Sequence, residues 1–215
     1  GGQKRPDYAA LLASVDRSLG RLIACLKEQE IDEQTIVILI SDNGGHGPST
    51  SMLPLRGTKG MLYEGGIRVP MVVRYPGQVK PGASQVPVIT RDLFPSLAAL
   101  AGAPEPKREL DGADLSGLWL GESEGPGERS LYWHFPAYLE ATNRKQGPWR
   151  TTPVGALRHG RWKLLEFFED SHRELYDLEA DPGESRDLST EQPEVLERLG
   201  ADLVRWREHV GAEVP

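Results

Sequence analysis

The chain has 215 residues, 38% of them hydrophobic and 27% charged, with a formal charge of −7, a length that supports one good hydrophobic core and room for a smaller appendage. The acidic balance and the want of a basic stripe argue against nucleic acid as a partner, and no apolar run approaches the roughly 20 residues that span a bilayer. One cysteine, Cys25, excludes an internal disulfide and says nothing of redox compartment.

The first residues, Gly1-Gly2-Gln3-Lys4-Arg5-Pro6-Asp7, resemble neither a signal peptide nor a methionine start and read as a cut end, so a missing export signal carries no weight. From Tyr8 to Leu26 the apolar positions Tyr8, Leu11, Leu12, Val15, Leu19, Leu22, Ile23 and Leu26 fall at helical spacing, with Asp7, Arg17, Arg21 and Lys27 left for water. Cys25 reads as a small hydrophobe near the end of that helix, with no cation placed to lower its pKa. Thr35 to Ile40 is an unbroken, mostly β-branched run, which predicts a strand covered on both faces, as in a parallel sheet between helices. A second strand is expected over Ile67–Tyr75, with Pro70 marking an edge or a bulge. Thr90–Ala101 predicts the next helix, with Thr90 as its cap and Gly102 as its stop.

Residues 102–128 are rich in Gly, Pro and acid and place the boundary between two parts, 1–128 and 129–215. Beyond it come short aromatic strands, Leu131–Phe135, Val154–Arg158, Trp162–Phe168 and Glu174–Leu178, with His159-Gly160-Arg161 tight enough to close a hairpin. They predict a small antiparallel sheet, and Pro193–His209 predicts a closing helix.

The chemistry begins directly after the buried run, at Ser41-Asp42-Asn43-Gly44-Gly45-His46-Gly47. Ligands of open α/β sheets gather at the carboxyl ends of strands, and Asp42 with Asn43 offers hard oxygens suited to calcium or magnesium. Alone, Asp-Asn-Gly reads rather as a common polar turn that ends a strand. Arg56-Gly57-Thr58-Lys59-Gly60 then sets two cations among glycines, a pattern able to hold an anion, although a lone lysine on such a loop is more often merely solvated.

Ser41-Asp42-Asn43-Gly44-Gly45, Pro54-Leu55-Arg56-Gly57-x-Lys59-Gly60 and Tyr63-Glu64-Gly65-Gly66-Ile67-Arg68-Val69-Pro70, in that order, resemble the type I, formylglycine-dependent sulfatases of the alkaline phosphatase-like superfamily. The resemblance continues through Asp92-Leu93-Phe94-Pro95, Leu110-Asp111-Gly112, Tyr132-Trp133-His134-Phe135-Pro136, Trp162-Lys163-Leu164, Glu174-Leu175-Tyr176-Asp177-Leu178 and Asp181-Pro182-Gly183-Glu184. It implies an α/β fold: the C-terminal part of an alkaline phosphatase-like α/β/α sandwich, plus a small antiparallel-sheet subdomain with a C-terminal helix.

The resemblance also implies that Asp42 and Asn43 are two ligands of one calcium ion and that Lys59 contacts the sulfate group. Arg56 and Glu64 to Arg68 are implied framework around the Lys59 loop, and Arg56 is also a candidate substrate-binding residue. His46 and His134 carry two readings, substrate contact or ordinary loop and packing histidines.

The family's nucleophile lies in a Cys/Ser-x-Pro-x-Arg string, and no such string occurs: Leu-Lys-Glu-Gln follows Cys25 and Met-Leu-Pro-Leu follows Ser51. The family's pair of consecutive aspartates, its other metal ligands, is absent as well. The expectation is therefore a C-terminal portion, inactive alone, of a hydrolase for aryl or carbohydrate sulfate esters, with formylglycine in the portion not present. Its apolar surface is expected to be bare where neighbours are missing. A phosphate- or phosphonate-ester hydrolase of the same superfamily, or a non-catalytic glycan-binding derivative, are the alternatives. A secreted, periplasmic or lysosomal location is implied by the resemblance alone, and oligomeric state is left open.

Overall fold

The computed structural model describes residues 5–104, 107–141 and 147–215. In chain order the elements are α1 (Pro6–Glu28), β1 (Val37–Ile40), α2 (Glu64–Ile67), β2 (Met71–Arg74), α3 (Leu93–Leu100) and α4 (Ser116–Leu120). There follow β3 (Ser130–Phe135), β4 (Leu139–Glu140), β5 (Trp149–Thr151), β6 (Val154–His159), β7 (Trp162–Phe167), β8 (Arg173–Asp177) and α5 (Pro193–Val210). The chain divides into two compact units, one of Gly1–Leu11, Ser41–Pro70 and Ser130–Pro215, the other of Leu12–Ile40 and Met71–Arg129. Residues 41–70, grouped on sequence grounds with the part before residue 129, thus pack with the C-terminal sheet.

In the unit of Leu12–Ile40 and Met71–Arg129, β1 and β2 pair antiparallel, with Ile38 opposite Val73. The parallel sheet expected for the apolar run is not what forms among the described residues. Nor is the run covered on both faces, since Leu39 and its partner Val72 are 43% and 56% exposed. The inference from unbroken apolarity failed because it reads what a strand is fit to bury, not what covers it. The same holds for α1, whose helical stripe is as expected but which buries none of its residues.

Asp92 organises the rest of this unit. A single 3-10 turn, Thr90–Asp92, leads into α3. Thr90 is not the cap; instead the fully buried Asp92 carboxylate accepts from the Ile89 and Ala113 amides at 2.9 Å each. The Arg129 guanidinium grips both of its oxygens. Burial would raise the Asp92 carboxyl, but Arg129 and the two amides hold it below the ordinary carboxylate range. α3 stops at Gly102, in the left-handed region (φ 65°) as expected of a terminating glycine.

In the other unit four strands form an antiparallel sheet in the order β3-β6-β7-β8. β6 and β7 are joined across Gly160 and Arg161, with His159 opposite Trp162 and Gly160 at φ 54°. Alternation sorts the side chains. Leu157, Leu164 and Leu175 pack beneath α5 against Leu199 and Leu203, while Val154, Ala156, Leu165 and Tyr176 face the other way and receive Leu62 and Tyr63. Each such leucine contributes roughly 1.5–3 kcal/mol on burial. The sheet is therefore a wall with a helix on one side and the 55–66 segment on the other, and that second side carries the chemistry.

Candidate anion and metal site

The segment from Ser41 to Tyr63 has no regular helix or strand, so its position is set by backbone contacts and by what holds its ends. Three stretches of main chain pass one another without side chains between them. The Gly44 amide donates to Gly66 O (2.9 Å), the Gly65 amide to Arg56 O (2.6 Å), and the Lys59 amide to Gly45 O (3.0 Å). A Cβ at Gly44 would stand 1.9 Å from Gly65 O, and one at Gly66 would stand 2.0 Å from Met61 O. Such glycines are required by close approach, not by a turn. The last of these bonds ties the Lys59 loop to the turn that carries Asp42 and Asn43.

The far end of the segment is bolted to the sheet. Glu64, 2% exposed, accepts from Lys163 Nζ at 2.9 Å, and its own amide donates to Glu184 Oε2 at 2.6 Å. Lys163, wholly buried, stands 2.8 Å from Glu184 Oε1, so one ammonium serves two buried carboxylates. Arg158 and Arg68 lie 4.0 and 3.9 Å from the other oxygen of Glu64. Burial pushes the Glu184 carboxyl up, against the pull of Lys163.

Beside this cluster the Arg56 guanidinium lies 4.0 Å over the Tyr63 ring and donates to the Tyr176 hydroxyl (2.7 Å) and to Glu184 O (3.2 Å). Tyr63 and Tyr176 both donate to Glu174 Oε2, at 2.7 and 2.8 Å. Burial and that carboxylate push both phenols up. Arg56 is thus engaged in holding the loop.

The expected site residues fall into two groups. Asp42, Asn43, His46 and Lys59 lie on two stretches of main chain joined by the Gly45–Lys59 backbone bond. The side chains of Asp42, Asn43 and Lys59 make no hydrogen bond or ion pair among the described residues. His46, one residue beyond Gly45, is exposed and bonds Ser49 Oγ through Nδ1 at 3.0 Å. His134 is in the other group. It pairs with Gly155, packs on Phe168 at 5.3 Å and meets Glu213 O through Nε2 at 2.9 Å. A Cβ at Gly155 would meet Phe168 and Leu203, so His134 belongs to the α5 face, away from the Lys59 loop.

Asp42 and Asn43 supply one carboxylate and one amide oxygen, a donor set that fits calcium or magnesium but fills only a minority of the roughly six to eight positions calcium takes. Among the described residues no group of three or more His, Cys, Asp or Glu side chains assembles to complete it. Sequence reading passed over the Lys163 and Glu184 anchors. A signal was there for Lys163: it is two residues from core-facing Leu165 in a strand, a position whose side chain must point inward.

The sulfatase family model matches residues 2–103, and the model for the C-terminal region of N-sulphoglucosamine sulphohydrolase matches residues 58–209. The chain belongs to the sulfatase family, and its fold is the alkaline phosphatase-like fold of its structural neighbours.

A sulfatase of Formosa agariphila is 38% identical over 87% of this chain and 36% of its own length; human arylsulfatase A is 34% identical over 91% of this chain and 42% of its own. The chain therefore spans about two fifths of the length of these curated relatives. Among solved structures, Ps i-CgsB in complex with k-i-k-neocarrahexaose superimposes with a TM-score of 0.79 at 28% identity, covering 99% of this chain and 44% of that one. A phosphonate monoester hydrolase from Silicibacter pomeroyi superimposes with a TM-score of 0.65 at 27% identity, over 91% of this chain and 39% of that one. Among the described residues no helix is long and apolar enough to cross a membrane.

Proposed function

We propose that this chain is the C-terminal portion of a sulfuric-ester hydrolase and supplies the electrostatic half of its site. The observation that supports this reading is the backbone bond from the Lys59 amide to Gly45 O, which ties the loop carrying Lys59 to the turn carrying Asp42 and Asn43, whose side chains are unpaired among the described residues. Lys59 acts as a point charge on an ester oxygen, holding the sulfate group and countering charge as the alkoxide departs. Asp42 and Asn43 would hold a divalent cation, calcium by donor type, which when bound neutralises the ester's oxygens. The formylglycine nucleophile is assigned outside these 215 residues, since no Cys/Ser-x-Pro-x-Arg string lies within them. The 215-residue chain alone is then expected to show no turnover.

Carbohydrate sulfate is the favoured ester class, supported by a structural neighbour solved with a neocarrahexaose. The match to a phosphonate monoester hydrolase supports a second reading, the same site serving a phosphonate ester. The full-length gene product, assayed on p-nitrophenyl sulfate, p-nitrophenyl phosphate and p-nitrophenyl phenylphosphonate, separates them. A kcat/KM for sulfate at least about tenfold above the other two supports the sulfatase; the reverse order sinks it in favour of the phosphonate reading.

A further inference from the structure

Arg150 has no role in the site described so far. It lies on β5, and β4 and β5 form a two-stranded ribbon whose Leu139 and Arg150 lie against the Lys59 loop. A Cβ added at Gly60, the residue after Lys59, would stand 2.6 Å from Leu139 Cδ1, 3.2 Å from Arg150 Nη2 and 3.4 Å from Arg150 Cζ. The guanidinium is thus in contact range of the loop's main chain, which only a glycine at 60 permits (φ 90°).

This arginine is also unpartnered. No ion pair, hydrogen bond or ring contact is made by its side chain among the described residues, and its Nε is buried without a hydrogen-bond acceptor. Several other arginines of the chain are paired. Arg56, Arg74, Arg129, Arg161, Arg173 and Arg207 each hold a carboxylate or a hydroxyl. A half-buried guanidinium left unpaired is costly, and a second unpaired cation one residue from its contact adds repulsion. Both costs are relieved by an anion seated between protein and solvent at this place.

We propose that Arg150 is a specificity-determining residue that reads a second anionic group on the substrate, beside the ester held by Lys59. The ligand class is a saccharide carrying more than one sulfate, bound by the planar fork of the guanidinium where Lys59 offers a point charge. The proposal rests on the sulfatase reading for its substrate, but its binding test stands without turnover.

The test is calorimetric titration of the full-length gene product with sucrose octasulfate, a densely sulfated sugar, and with sucrose as the uncharged control. Wild type is expected to bind the octasulfate and not sucrose. Arg150→Ala is expected to weaken binding about tenfold, and Arg150→Lys, which keeps the charge and loses the fork, about threefold. Melting temperatures matched to wild type show that neither variant is merely unfolded. In parallel, the KM of Arg150→Ala for singly charged p-nitrophenyl sulfate stays within about twofold of wild type. Octasulfate binding equal to wild type in Arg150→Ala, or no octasulfate binding beyond that of sucrose, overturns the proposal. Arg150-dependent binding without any aryl sulfate turnover would leave it standing and remove the catalytic reading instead.

Discussion

At the residue scale, placement of Lys59 depends on atoms that are absent. Gly44 and Gly66 let three stretches of main chain touch, and a single methyl at either would drive them apart. Gly44→Ala is accordingly expected to move the Lys59 loop away from Asp42 and Asn43 by an ångström or so, and kcat of the full-length product should fall about 100-fold. Unchanged kcat in that variant would show that the Gly45–Lys59 contact does not position the lysine. Lys163 works on the same loop from behind. Its removal in Lys163→Met strands two carboxylates, Glu64 and Glu184, in a dry site. The expected loss is about 3–5 kcal/mol of stability, read by urea unfolding, because breaking a buried pair leaves an uncompensated charge. A loss below about 1 kcal/mol would mean that water or a shifted arginine replaces the ammonium.

At the element scale, α5 is held to the sheet by two kinds of contact. Leu199 and Leu203 bury against Leu157, Leu164 and Leu175, while Arg207 of α5 and Arg173 of β8 both bind Glu166 of β7. Burial raises the Glu166 carboxyl, yet the two guanidinium groups prevail and hold it below its ordinary value. A carboxyl depressed in the folded state stabilises that state at pH above its unfolded value and loses this contribution as pH falls through the folded one. Stability should therefore decline below about pH 4, and Glu166→Gln should flatten that decline while costing about 1–3 kcal/mol at neutral pH. Thermal melts at stepped pH measure both; a variant with wild-type acid sensitivity would remove Glu166 from the account.

Strands β3, β6, β7 and β8 were legible in the sequence because they are short, aromatic-rich runs set off by turn residues such as Gly160, and α5 because its leucines repeat at helical spacing. The antiparallel pairing of β1 with β2 was not, since apolar content does not encode a partner's direction. The ribbon of β4 and β5 was too short to leave any period at all.

At the scale of the whole molecule, the candidate site residues Asp42, Asn43 and Lys59 lie on a segment with no regular helix or strand, and what holds that segment is long-range. Asp42, Asn43 and Lys59 were singled out by ordered motifs. What holds their segment in place, the close-packed glycines and the buried cluster of Glu64, Lys163 and Glu184, is separated by as much as 120 residues and has no local pattern. Arg150 escaped notice for the same reason: its importance lies in having no partner, which no sequence displays.

The central claim is that the Asp42–Asn43 turn and Lys59 form one functional unit, and calcium dependence of activity probes it most directly. In the full-length gene product, p-nitrophenyl sulfate turnover is expected to fall on treatment with EGTA and return with added calcium. Asp42→Ala should require far more calcium for half-maximal rate, and Lys59→Ala should lower kcat/KM about 100- to 1,000-fold at saturating calcium. Turnover in both variants equal to wild type, with no response to EGTA, would contradict it.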